Sequence, residues 1–398
     1  MISKLRISWL LTYISIASFS AAIITPALPQ IQMQFGLSTG EVEWIVSAFL
    51  VGYVIGQLIY GPLANRFGRV LALRIGLSIN LVGVLICLLG LAETNFGIIV
   101  LGRLISALGA ASGLACTYML INEWLPESQR ATAMAYSILS FTMGIGLAVA
   151  FGGVMTEYWQ WSLCFLILLV HGVVMLWGTC MFSETLQNPQ EINLRAIVAN
   201  YRRALSCGKL IVFSLVIGLC SAIGYCFSAA GPQIANDILH IRIVDYGYWN
   251  LLNMLGMLIG GLWAKILVNR LPAKKVIVIG LAGCIAGIGS LTGMLYYHSF
   301  SASWFFLSTM NFYIFSGLLF AAGSLVASNA IADKASGSAM MSFINMFSAT
   351  LAVILMGYMS TNPLKAYVEV LIGMWILVVG LLLVQHCTNK VEVMSYEV

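Results

Sequence analysis

Charged residues are scarce in this chain. Of 398 residues only 8% are Asp, Glu, Lys or Arg, against roughly a quarter in soluble globular domains. That scarcity excludes a water-soluble globule. The nine cysteines are scattered, with no Cys-x-x-Cys pair and no histidine at ligand spacing. They give no sign of a disulfide framework or a metal site and read as small core residues. No nucleophile stands beside a base, and no cluster of His and acid lies near a membrane surface, so a membrane-embedded enzyme is not indicated and no cofactor is called for. All fourteen Asp and Glu residues fall in loops or near the ends of apolar runs.

What the chain has in abundance is apolar sequence, 61% of all residues. A bilayer core about 30 Å thick needs roughly 20 apolar residues per helix. Twelve such runs lie near Ser8–Thr25, Glu43–Leu63, Val70–Leu91, Phe96–Leu120, Thr132–Met155, Trp161–Phe182, Leu210–Ala230, Tyr248–Val268, Val276–Tyr297, Trp304–Ala327, Ser338–Met359 and Tyr367–Gln385. The fold expected is all-α and integral to the membrane. Met1 to Ser20 imitates a signal peptide, with Lys4 and Arg6 before an apolar stretch, but is read as the first membrane helix.

Lys and Arg are retained on the cytoplasmic side of membrane proteins. With the N-terminus inside, sixteen of the nineteen fall inside, only Arg242 and Lys365 fall outside, and Arg103 lies within a helix. Both termini are therefore expected to be cytoplasmic. The formal charge of +5 reflects this topology and not an affinity for nucleic acid.

The second half of the chain echoes the first. Pro29-Gln30-Ile31 answers Pro232-Gln233-Ile234, and Gly56, Leu58, Ile59, Gly61 and Ala64 answer Gly256, Leu258, Ile259, Gly261 and Ala264. Gly76-Leu77 answers Gly280-Leu281. Such repeats build carriers whose two halves rock about a central site. The expected domains are a six-helix bundle over 1–182, a cytoplasmic linker over 183–209 and a second six-helix bundle over 210–398. Pro26 and Pro29 are expected to close the first helix, and Gly231-Pro232 to follow the seventh. Within the linker, Asn188-Pro189-Gln190-Glu191 reads as a helix start. The segment Ile192 to Leu205, with Arg195, Arg202 and Arg203, is either an amphipathic helix on the headgroups or a plain basic linker.

Between the second and third runs stands Gly56 to Gly76, a hydrophilic knot expected to form a tight cytoplasmic turn. Gly61 and Gly68 would let backbones approach, Pro62 would sit at a helix end, and Arg66 and Arg69 would hold the turn inside. Gly61, Leu63, Ala64, Asn65, Arg66, Gly68 and Arg69 together resemble the Gly-x-Leu-Ala-Asp-Arg-x-Gly-Arg-Lys loop of the major facilitator superfamily. Helix 4 opens on Leu101-Gly102-Arg103-Leu104-Ile105-Ser106-Ala107-Leu108-Gly109, similar to that family's Arg-x-x-Gln-Gly-x-Gly pattern. Helix 5 carries Gly144, Gly146, Gly152 and Gly153, with Ala148-Val149 where the family's exporters have Gly-Pro. The branch most similar is the bicyclomycin-resistance type of drug and proton antiporter. The resemblance implies twelve helices in two pseudo-symmetric six-helix bundles, and a monomeric secondary transporter of the bacterial inner membrane that exports a small organic molecule.

The branch's acids are missing. Ala22 stands where the first helix carries Asp, and Asn65 replaces the loop Asp, so proton coupling is expected to be weak or absent, with Glu43 as the nearest coupling candidate. Arg103 then lacks its partner, and an unpaired intramembrane cation is costly unless a ligand supplies the counter-charge. This motivates the alternative of a carrier for an organic anion, such as a carboxylate-type siderophore. The competing reading is that Arg103 snorkels to the outer surface or bonds helix carbonyls. Further candidates to face a substrate are Tyr53, Gln57, Tyr118, Tyr225, Asn253, Asn311, Tyr313 and Asn345, each individually more often a packing group than a ligand contact. Asn250 belongs with these polar groups at membrane depth, and His171 reads as a core residue.

Overall fold

The computed structural model describes residues 4–125, 127–186, 188, 189, 191, 193–331 and 334–395. Among them, twelve helices are long and apolar enough to cross a membrane. They are α1 (Ile7–Phe35), α2 (Thr39–Phe67), α3 (Arg69–Ala92), α4 (Phe96–Trp124), α5 (Glu127–Tyr158) and α6 (Leu163–Met181) in the first half. The second half has α7 (Gly208–Asp237), α8 (Ile243–Arg270), α9 (Ala273–Tyr296), α10 (Ala302–Ser328), α11 (Lys334–Met359) and α12 (Pro363–Ser395). Helices satisfy every backbone group within one segment, which hydrocarbon demands.

The ends of several helices depart from expectation. The first helix does not stop at its prolines: α1 runs on to Phe35 in pieces, Lys4–Thr12, Ser15–Ala22, a 3-10 turn at Thr25–Ala27 and a last helix Leu28–Phe35. Pro26 and Pro29 occupy first-turn positions of the last two pieces, where a missing N–H is tolerated. Pro232 likewise lies inside α7 and does not follow it. The knot between α2 and α3 shrinks to one residue, Gly68, so Gly61, Pro62, Asn65 and Arg66 are all helical.

A linker helix spans Leu194–Leu205, so the amphipathic reading describes the segment. Its N-cap is Asn193, whose side chain accepts from the Ala196 N–H at 3.1 Å, and not Asn188. Gln190 and Ile192 lie outside the described residues. The helix packs against α11. It marks one end of the bundle, called here the linker end; the opposite end is the far end.

Glycine sets the packing within each half. A Cβ on Gly56 would stand 2.7 Å from the Leu108 carbonyl oxygen of α4, and one on Gly256 would stand 2.7 Å from the Met310 carbonyl oxygen of α10. The paired glycines of the repeat thus make equivalent contacts, α2 on α4 and α8 on α10. Gly76 and Gly280 do the same against α4 and α10. Gly61, expected to permit close approach, has no atom of the described residues within 4 Å of where a Cβ would stand. The turns after α3 and α9 repeat as well, with Thr94 and His298 both left-handed at φ 48°.

The halves meet where α2 packs on α11, α5 on α8, and the end of α1 on α7. Gly40 and Gly357, Trp44 and Tyr358, Gly153 and Ile243, and Ala150 and Gly247 all touch in the far-end half of the span.

Candidate functional site

The single-residue turn is held by acids from elsewhere in the chain. Gly68 sits at φ 109°, ψ 154°, a conformation open to glycine. The Glu184 carboxylate lies against it and accepts from the N–H groups of Arg69 at 2.8 Å and Val70 at 3.0 Å, the first orphan donors of α3. The Arg69 guanidinium donates to the Ala64 carbonyl at 2.9 Å and pairs with Glu123 of α4 at 2.8 Å. The Thr185 hydroxyl donates to the other oxygen of Glu123. Burial raises the Glu184 carboxyl, but backbone hydrogen bonds from Leu186, Arg69, Thr185 and Val70 outweigh it and hold the group below the usual carboxylate range. Neither Glu123 nor Glu184 was singled out from the sequence. Their only signal is an acid directly after an apolar run. The charged contacts at this turn are thus built on Arg69, with acids from α4 and the segment after α6.

At mid-membrane the polar candidates separate into two groups. Tyr53 lies within electrostatic reach of Gln57 and Tyr118 on its own half, and of Tyr225 across the seam. Tyr225 in turn reaches Tyr313, whose ring is 6.1 Å from that of Phe227. These five side chains come from α2, α4, α7 and α10 and form a phenol-rich patch between the halves. The second group is engaged in packing. Asn253 donates to Asn250 at 3.0 Å and accepts from Thr309 at 2.8 Å, tying α8 to α10. Asn311 donates to the Gly283 carbonyl at 2.9 Å, tying α10 to α9. Asn345 is buried on α11 with Oδ1 unpartnered among the described residues. His171 lies with its ring 5.0 Å from that of Phe19.

Arg103 is buried inside the first half, only 1% exposed. Its guanidinium donates to the Ser20 carbonyl at 2.9 Å and the Ile45 carbonyl at 3.3 Å, and lies 4.3 Å from the Phe49 ring centroid. Nη2 has no partner among the described residues. The carbonyl-bonding alternative therefore describes two of its nitrogens. Ala22 is buried nearby on α1. Glu43 is buried at the far end of α2, with Oε2 unpartnered among the described residues and directed at Gly357 of α11. Other groups escaped the sequence reading, among them Gln233, buried with both amide atoms unpartnered among the described residues, and the buried Tyr246 hydroxyl. Gln233 was seen only as part of the repeat.

Twelve helices in two halves joined by a linker, with a polar patch between the halves, define a secondary transporter. The profile of the Major Facilitator Superfamily matches residues 10–353, and the chain belongs to that superfamily, a family of transporters and not of enzymes. The uncharacterized MFS-type transporter YceJ of Bacillus subtilis is 25% identical over 260 residues, 65% of each chain. The D-xylose transporter of Levilactobacillus brevis is 35% identical over 154 residues, 37% of this chain and 32% of that one. Multidrug resistance protein D of Escherichia coli is 23% identical over 161 residues, 40% of each. These matches each span less than two thirds of the relative's length. Among solved structures, a D-xylose-proton symporter superposes with a TM-score of 0.78 at 15% identity, covering 94% of this chain and 97% of that one. A bacterial homolog of the human lysosomal transporter Spinster gives 0.66 at 16% identity, covering 96% of both.

Proposed function

We propose that this protein is an exporter that carries a small, largely uncharged organic molecule across the bacterial inner membrane by alternating access. The observation that carries the reading is the patch of Tyr53, Gln57, Tyr118, Tyr225 and Tyr313 shared between the halves. It offers rings for stacking and hydroxyl and amide groups for hydrogen bonds, without a fixed charge. Relatives named as multidrug resistance proteins favour export. Residues 1–182 and 210–398 are the two rocking bodies, and the basic linker end with both termini faces the cytoplasm. The contacts at the far end then correspond to a carrier closed toward the outside.

The test is uptake of candidate compounds into inverted vesicles, with Tyr225→Phe and Tyr53→Phe beside the wild type. Losing one hydrogen bond worth about 1.4 kcal/mol should raise the half-saturating concentration about tenfold. Asn311→Ala should lower thermal stability with little change in that constant. Equal transport by both phenylalanine variants would remove the patch from the binding site.

A second reading rests on the unpartnered Nη2 of Arg103. It is carriage of an organic anion that reaches this atom in another conformational state. Stabilisation of the purified protein by small polycarboxylates, lost in Arg103→Met, would favour it. A ligand at 100 times its dissociation constant adds about 2.7 kcal/mol, which thermal melting resolves.

A further inference from the structure

A groove of about 390 Å³ opens on the flank of α8 at the far end, lined by Ile241, Asp245, Tyr248, Trp249 and Leu252. From Asp245 to Leu252 the helix descends about 10 Å, and the lining passes from charge through aromatic rings to an aliphatic side chain. The wall is firm, because the Trp249 ring stacks at 5.5 Å on that of the buried Phe306. Further down α8, Leu255, Ile259 and Leu262 follow Leu252 at helical spacing and are 45%, 38% and 66% exposed.

Charge collects at the mouth. The Arg242 guanidinium donates through Nε to Asp245 Oδ2 at 2.8 Å and through Nη2 to Oδ1 at 3.0 Å. That fork fixes the guanidinium plane, and the side chain stays 65% exposed, which leaves its remaining N–H groups to meet an anion. Glu157 and Tyr158 of α5, in the other half, lie within electrostatic reach of the same guanidinium. The rim therefore sets two carboxylates against one guanidinium, with the exposed rings of Tyr158 and Tyr248 beside them. A simple anion would gain from Arg242 and be opposed by the spare carboxylate. A zwitterion that carries an ammonium next to its anion satisfies both, and the ring faces add cation–π attraction.

We propose that this groove is a binding site for one phospholipid whose headgroup joins a phosphodiester to an ammonium, as an ethanolamine headgroup does. The phosphate accepts from Arg242, the ammonium turns to Glu157 and the neighbouring phenol rings, and an acyl chain runs from Leu252 down the apolar stripe of α8. The stripe is what favours a lipid over a soluble amine phosphate, which would leave it unused. Because Glu157 belongs to α5 and Arg242 to the start of α8, the headgroup is held by both halves at once. The site is separate from the phenol patch and does not depend on what that patch carries.

The experiment reconstitutes the full chain in phosphatidylglycerol vesicles doped with a phosphatidylethanolamine that bears a diazirine on its acyl chain, close to the ester. After illumination the labelled peptides are mapped by mass spectrometry. The expected result is labelling concentrated at 241–252 despite the excess of phosphatidylglycerol, and displaced by unlabelled phosphatidylethanolamine. Glycerophosphoethanolamine, which has the headgroup without the chains, should not displace it. Arg242→Gln should lower this labelling about tenfold through loss of a charged hydrogen-bond donor. Leu252→Trp, which fills the groove, should abolish it, with the melting temperature in detergent unchanged. Labelling spread evenly over the lipid-facing helices, or left intact by both variants, reduces these residues to an ordinary aromatic belt and overturns the site. Displacement by glycerophosphoethanolamine assigns the groove to a soluble amine phosphate and overturns the lipid.

Discussion

Glu184 accepts the backbone N–H of Arg69 at 2.8 Å although the two residues lie on opposite sides of four membrane helices in sequence. Its second oxygen takes the N–H of Val70 at 3.0 Å. A carboxylate at a helix N-terminus satisfies orphan donors and complements the helix dipole. Glu184→Ala should therefore lower stability by about 1 kcal/mol, read as a fall in melting temperature in detergent. Because the folded group titrates below its ordinary value, its contribution is present above the usual carboxylate range and is lost as pH falls through the lowered folded value. The difference between wild type and variant should thus shrink in acid.

Gly68→Ala should cost more than a typical surface change. Its φ of 109° is unfavourable for an L side chain, and an added Cβ would run into the Glu184 carboxylate. A loss of about 2 kcal/mol is expected from backbone strain and a displaced cap together. In the Glu184→Ala background the penalty should fall, since one of its two sources is gone. A double-mutant cycle on melting measures that coupling.

Arg103→Met and Arg103→Ala should separate. Methionine fills the space beside Phe49 without burying a charge, and is expected to change stability by less than about 1.5 kcal/mol. Alanine leaves a cavity and should cost about 3 kcal/mol. Chemical or thermal unfolding of the two variants in detergent decides the matter.

Thr94→Gly should stabilise the protein by about 1 kcal/mol. Thr94 is β-branched and held left-handed at φ 48°, a conformation that costs an L residue about that much and glycine nothing. An elevated melting temperature with unchanged transport is the expected outcome.

The sequence by itself determined the twelve helices, their order and the two-fold repeat, because hydrocarbon leaves a chain few ways to satisfy its backbone and because apolar runs and paired glycines are local signals. Gly56 and Gly256 could be matched on paper, and they make matching contacts in space. Only the tertiary structure decided which polar residues meet. Tyr225 and Tyr53 share a patch while Asn311 turns to Gly283, and nothing in the spacing of single residues along apolar helices distinguishes the two fates. Arg103 was legible as a buried charge, with carbonyl bonding as one of its two alternatives, but which carbonyls it meets, those of Ser20 and Ile45, was not, since a helix interior bonds its own carbonyls and does not advertise a spare lone pair. Glu184 and Glu123 looked like ordinary loop acids. Their role exists only because α3 and α4 return Glu123, and α3 to α6 return Glu184, to the turn at Gly68, one residue long.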